Sequence, residues 1–141
     1  MKILFATDGS DASNAALAAL IARLGWFREV PELTLLTVHA AIPYRAAAAW
    51  AGKQNLADYY DEEAETMLSP ARASLAAANV AFDAVKRVGE PADEIIHCAS
   101  ERGVDLIVMG THGRTALANL VVGSVATKVL AQASTPVLLL H

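Results

Sequence analysis

Five short apolar runs alternate with longer stretches of helical periodicity along this chain, and that alternation restricts the folds open to it. Ile3-Leu4-Phe5-Ala6, Leu33–His39, Val80–Val88, Leu106–Met109 and Val137–Leu140 read as strands. The segments between them carry apolar residues at helical spacing. Strands and helices in that order predict an α/β fold: a parallel open sheet with right-handed crossovers and helices on both faces. The unbroken apolarity of Ile3–Ala6 suits a parallel strand covered on both sides. At 141 residues and 55% hydrophobic content, one folded domain spanning 1–141 is the simplest expectation.

In chain order, Thr7-Asp8-Gly9-Ser10 ends the first run. Ser10 is suited to cap a helix whose apolar stripe is Leu17, Leu20, Ile21 and Leu24, closed by Gly25. A second helical pattern starts at Asn55, with Leu56, Tyr60, Met67, Ala71 and Leu75 on its inner side. Pro70 interrupts it, either as a kink near Ser69 or as the first position of a second helix capped by Ser69. Val80–Val88 carries Asp83, Lys86 and Arg87, charges that belong on an edge strand. Pro91 opens a helix over Ala92–Arg102 that Gly103 stops, and Cys98 within it reads as a buried, inert thiol. Ala40–Lys53, containing Pro43, Tyr44, Arg45 and Trp50, is either a lid or a short helix.

The chemistry concentrates after the fourth run. Gly110-Thr111-His112-Gly113-Arg114 leads, after nine residues beyond Gly113, to Gly123-Ser124 and a helix over Val125–Ala133. Glycines let a ligand approach the backbone, and a helix starting at Ser124 offers unpaired N–H groups at its positive end, a place for an anion such as phosphate. The bland alternative is an ordinary strand-to-helix turn with Ser124 as N-cap. In sheets of this class ligands sit beyond the carboxyl ends of the strands, where the winding reverses. With the order 3-2-1-4-5 that crevice lies between strands one and four, so Asp8 and Gly110 face each other across it. The alternative for Asp8 is a cap on the first helix; His112 and Arg114 border the site or reach solvent; His39 reads as structural.

Several classes fall away. A net charge of −4 argues against general binding of nucleic acid, and no apolar run approaches the about 20 residues needed to insert into a membrane. One cysteine forms no intrachain disulfide. With no basic stretch and apolar leader at the start, the cytoplasm is the expected location. The phosphate-loop pattern G-x-x-x-x-G-K-[ST] is missing, and no carboxylate pair flanks the glycines to hold Mg²⁺. Binding, with at most slow hydrolysis, is therefore expected over efficient turnover.

Ile3–Ser10, Gly89-Glu90-Pro91 and above all Gly110-x2-Gly113-x9-Gly123-Ser124 resemble the universal stress protein family, over essentially the whole chain. The resemblance implies the adenine nucleotide alpha hydrolase-like, Rossmann-like sheet and the branch that binds ATP, with Mg²⁺ as an optional companion. It implies Ala6, Thr7 and Asp8 near the adenosine and Val38 offering backbone contacts to adenine. It also implies Met109, Gly110, His112, Gly113 and Arg114 along ribose and phosphates, with Gly123, Ser124 and Val125 holding phosphate. Relatives often carry a second hydroxyl two residues after the serine, where this chain has Ala126. The family further implies a homodimer joined through Val137–Leu140, with a downstream protein partner that the residues do not identify. Thr7–Ser13 is also loosely similar to the S-G-G-x-D-S loop of adenylating hydrolases, but Asp8 replaces a required glycine. A phosphoacceptor receiver would need an aspartate where Val88-Gly89 stands. A stress-protein dimer without nucleotide is the remaining alternative.

Overall fold

A computed structural model describes residues 1–42, 53–113 and 122–141. Its strands are β1 (Lys2–Thr7), β2 (Glu32–His39), β3 (Phe82–Val88), β4 (Leu106–Gly110) and β5 (Val137–Leu140). The helices are α1 (Asp11–Ile21), α2 (Lys53–Ala77), α3 (Pro91–Arg102) and α4 (Ser124–Gln132), with a 3₁₀ turn over Leu24–Trp26. All four strand pairings are parallel, as the alternation of elements predicts, and the order is the expected β3-β2-β1-β4-β5.

Alternate residues of the central strands supply two cores. Leu4 and Ala6 of β1, Leu36 of β2, and Ile107 and Met109 of β4 pack with Ile95, Cys98 and Ala99 of α3 and Val129 of α4. The opposite face puts Ile3, Phe5, Leu35 and Val108 against Leu17 and Leu20 of α1 and Leu68, Ala71 and Leu75 of α2. Two covered faces explain why β1 reads as uninterrupted apolar sequence rather than as alternation. Cys98 is fully buried in the first core, and that burial raises its thiol pKa.

Three local expectations need correction. Pro70 neither breaks α2 nor opens a new helix: the helix runs on from Lys53 to Ala77. The proline lies on the exposed face, while Ala64, Met67, Leu68, Ala71 and Leu75 bury one stripe across it. Continuous packing of that stripe outweighs one missing hydrogen bond. The first helix ends at Ile21, and Leu24 belongs to the 3₁₀ turn that follows. The third strand begins at Phe82 rather than Val80, whose N–H closes the end of α2 on Leu75 O.

β3 is an edge, and its charges are tied to helices on both faces. Lys86 Nζ lies 2.6 Å from both Asp61 and Glu65 carboxylates of α2. Arg87 pairs with Glu94 and Glu101 of α3, and Arg102 donates to Asp83. The edge is thereby kept charged and clasped.

Gly89-Glu90-Pro91 has a structural account. Glu90 Oε2 accepts from Ala92 N at 2.9 Å and Asp93 N at 3.3 Å, capping α3, while Oε1 accepts from Lys128 Nζ of α4 at 2.9 Å. A side chain at Gly89 would place Cβ 2.8 Å from Glu94 Cγ. The Lys128 hydrogen bond, then the backbone amides, hold the Glu90 carboxyl below its ordinary pKa. A depressed carboxyl contributes stability above its unfolded pKa of about 4.3 and loses it as pH falls through the lower folded value. Glu90→Gln is therefore expected to be less stable than wild type at neutral pH, the gap closing in acid. Urea unfolding from about pH 7 down to pH 3 measures this.

Candidate functional site

Beyond the carboxyl ends of β1, β2 and β4 the structure opens a cavity of about 1000 Å³. Its position follows from topology: β1 leads toward α1 on one face and β4 toward α4 on the other, so their turns diverge and leave a crevice.

The β1 wall consists of Ala6, Thr7 and Asp8. Asp8 does not cap α1; Ser10 does, its side chain accepting from Ser13 N. Asp8 Oδ1 instead accepts from Ser10 N at 3.0 Å and Ser10 Oγ at 2.6 Å. Thr7 is buried, its Oγ1 3.0 Å from Ser13 Oγ and accepting from Gly9 N. These bonds fix the direction in which the Asp8 carboxylate leaves the strand.

Met109, Gly110, Thr111, His112 and Gly113 form the β4 wall. Thr111 N donates to Leu140 O, tying the loop to β5, and Thr111 O accepts from Gly123 N at 2.7 Å, tying it to the start of α4. A Cβ on Gly110 would come 3.2 Å from His112 O, and one on Gly113 would stand 2.7 Å from Asp8 Oδ2. The turn after β1 and the loop after β4 thus meet, as their separate sequence signals imply. His112 is half-buried, its Nδ1 3.0 Å from Thr111 Oγ1.

Gly123, Ser124 and Val125 bring the amino end of α4 to the same cavity, with Ala126 beneath them. Ser124 is not the N-cap. That position is Gly123, and Ser124 is the first helical residue. α1 and α3 are capped by the side chains of Ser10 and Glu90, whereas among the described residues α4 has no side-chain cap. Its first-turn amides and helix dipole therefore favour an anion at this end. Ala126 is buried, and the neighbouring hydroxyl, Thr127 Oγ1, turns outward and donates to Gly123 O.

Every expected site residue within the described chain lines this one cavity: those of β1, Val38, those of the β4 loop and those of α4. Arg114 and residues 43–52 of the candidate lid lie outside the described residues. The sequence reading omitted Ser13, Leu36, Met67, Pro91 and Ile95, which reach the cavity from elements recognisable only as core. It also assigned His39 a purely structural place, whereas His39 lines the cavity.

A sequence model described as the universal stress protein family matches residues 1–141. The chain belongs to the universal stress protein family. Universal stress protein MJ0531 of Methanocaldococcus jannaschii is 33% identical over 138 residues, covering 97% of this chain and 79% of that one. The solved structure of MJ0577, a universal stress protein of the same organism, is 29% identical with a TM-score of 0.79, covering 99% of this chain and 94% of its own. More distant members share the fold. One, solved in complex with cAMP, has 24% identity and a TM-score of 0.69, over 100% of this chain and 97% of that one. Others are an Archaeoglobus fulgidus protein in complex with dAMP and an Arabidopsis thaliana protein with AMP bound. They are 22% and 16% identical, with TM-scores of 0.66 and 0.69. They cover 100% and 99% of this chain and 98% and 91% of their own. No helix among the described residues is long and apolar enough to cross a membrane.

Proposed function

We propose that this universal stress protein belongs to the ATP-binding branch and works as a nucleotide-dependent switch or adaptor in the cytoplasm. The observation that carries the reading is the convergence of the Asp8 carboxylate, the glycine loop and the uncapped end of α4 on one open cavity. A carboxylate accepts from ribose hydroxyls or base amines, while backbone N–H groups at a helix start donate to phosphate oxygens. Ala6, Thr7, Asp8 and Val38 then surround the adenosine, Met109, Gly110, His112, Gly113 and Arg114 follow ribose and phosphates, and Gly123, Ser124 and Val125 hold phosphate. The nucleotide complexes of relatives, cAMP, dAMP and AMP, share an adenine nucleoside bearing one phosphate, which supports ATP, ADP or AMP as ligand class. Asp8 is the only carboxylate among the described lining residues, so Mg²⁺ arriving with ATP would take its other ligands from phosphate and water.

Freshly purified protein, denatured and chromatographed, is expected to release an adenine nucleotide, or in its absence to bind added ATP in a calorimetric titration. Failure of both would leave the alternative, a stress-protein dimer that acts as an interaction module without nucleotide.

The same reading includes a homodimer. β5 is an edge strand with Leu138 exposed, and an apolar edge is satisfied by pairing with its copy across a two-fold axis. Light scattering is expected to give twice the chain mass at micromolar concentration; a monomer mass independent of concentration would contradict it.

A further inference from the structure

We propose that His39 reads the base of the bound nucleotide, its Nε2 accepting a hydrogen bond from an exocyclic amine, so that the cavity selects adenine over purines lacking that donor. The inference rests on the nucleotide reading above and adds to it the residue that discriminates the base.

Placement comes first. Thr7, the last residue of β1, is paired with Thr37 of β2, so β2 runs two residues further and carries His39 past the end of its neighbour. His39 therefore stands on the β2 flank of the cavity, while the amino end of α4 stands on the β4 flank, with Asp8 of the central strand between them. A ligand whose phosphate meets α4 presents its other end to β2.

The ring is held in one orientation. His39 Nδ1 lies 2.7 Å from Ala40 O, and because a carbonyl only accepts, Nδ1 carries the proton in that bond. In the tautomer with that proton the lone pair is on Nε2, for which the described residues provide no hydrogen-bond partner. Tyr59 and Tyr60 of α2 meet the imidazole edge-on, with centroids 5.7 and 5.0 Å away. Tyr60 is itself anchored, its hydroxyl accepting from Ile42 N at 2.8 Å. Two aromatic rings and one backbone bond thus hold in place a ring that lines the cavity, and a preorganised group costs little to order on binding.

Adenine presents an amino donor where guanine presents a carbonyl acceptor. An acceptor in the wall rewards the first and is left unpaired against a base without that donor, which is how a polar site rejects a near-isostere.

The test compares ATP with purine riboside triphosphate, the same molecule without the amine, by calorimetry on wild type and His39→Phe, which keeps an aromatic ring against Tyr59 and Tyr60. Wild type is expected to bind ATP about tenfold more tightly than the amine-free analogue, and His39→Phe to bind the two within about twofold. An unchanged ratio in the variant, or no preference in wild type, overturns the proposal while leaving nucleotide binding intact. Wild type binding neither compound overturns both. In the unaltered protein the ¹⁵N resonance of Nε2 is expected to move with ATP and not with the analogue; equal responses would also overturn it.

Discussion

Gly113→Val is expected to weaken ATP binding by about a hundredfold while leaving the thermal midpoint within a few degrees of wild type. The Cβ of any side chain there would stand 2.7 Å from Asp8 Oδ2, and the β-branch adds bulk at the point where loop and carboxylate meet. Gly113 is not among the residues with positive φ, so the backbone accepts the change and the cost falls on Asp8 and the ligand. A charge-assisted hydrogen bond is worth about 1.5–3 kcal/mol, and obstructed approach of the phosphates adds to its loss. Gly113→Ala should fall between the two. Calorimetric titration of the three proteins checks the series. Equal affinities would place the ligand away from the meeting of these two turns.

The largest stability loss is expected from a different glycine. Gly9 has φ +75° in the turn between β1 and α1, and a Cβ there would lie 2.9 Å from Met67 Cα and 3.0 Å from Met67 O. Those are backbone atoms of α2, held in place by the buried stripe of Ala64, Met67, Leu68 and Ala71, so they cannot swing aside as a side-chain tip would. Left-handed strain of about 1–2 kcal/mol and an overpacking cost of about 1–3 kcal/mol combine. Gly9→Ala should lower the thermal midpoint by about 8 °C or more. Gly25 makes the control: a Cβ there meets nothing within 4 Å and its φ is not positive, so Gly25→Ala should be neutral. A Gly9→Ala protein as stable as the Gly25→Ala control would show that α2 does not press on the turn.

The two glycines show which parts of the molecule were legible in its sequence. Apolar runs, turn residues and stop signals are local, and they sufficed for the alternation of strands and helices, for the β3 edge with Asp83, Lys86 and Arg87, and for Gly103, whose φ of +58° ends α3. The turns bearing Asp8 and Gly113 follow β1 and β4 directly, so sheet topology carries both to one crevice. What escaped depends on packing between distant segments. Pro70 reads as a break because its missing hydrogen bond is local, whereas the stripe that keeps α2 continuous exists only against β1 and β2. Ser13, Met67 and Ile95 look like ordinary helix-face residues; they line the cavity because α1, α2 and α3 fold over its sides. His39 carries no motif, and its place is set by β2 outrunning β1. Ser124 has the chemistry of an N-cap but stands one residue inside the helix, and Gly123 at the cap position has no side chain to offer the first-turn amides of α4.

The central claim is that the turn after β1 and the start of α4 serve one ligand. An amide ¹H–¹⁵N titration with ATP tests it most directly. The account predicts that resonances of Thr7, Asp8 and Gly9 shift together with those of Gly113, Gly123, Ser124 and Val125, along one saturation curve. Shifts confined to one of the two groups, or two groups saturating at different ATP concentrations, would contradict it.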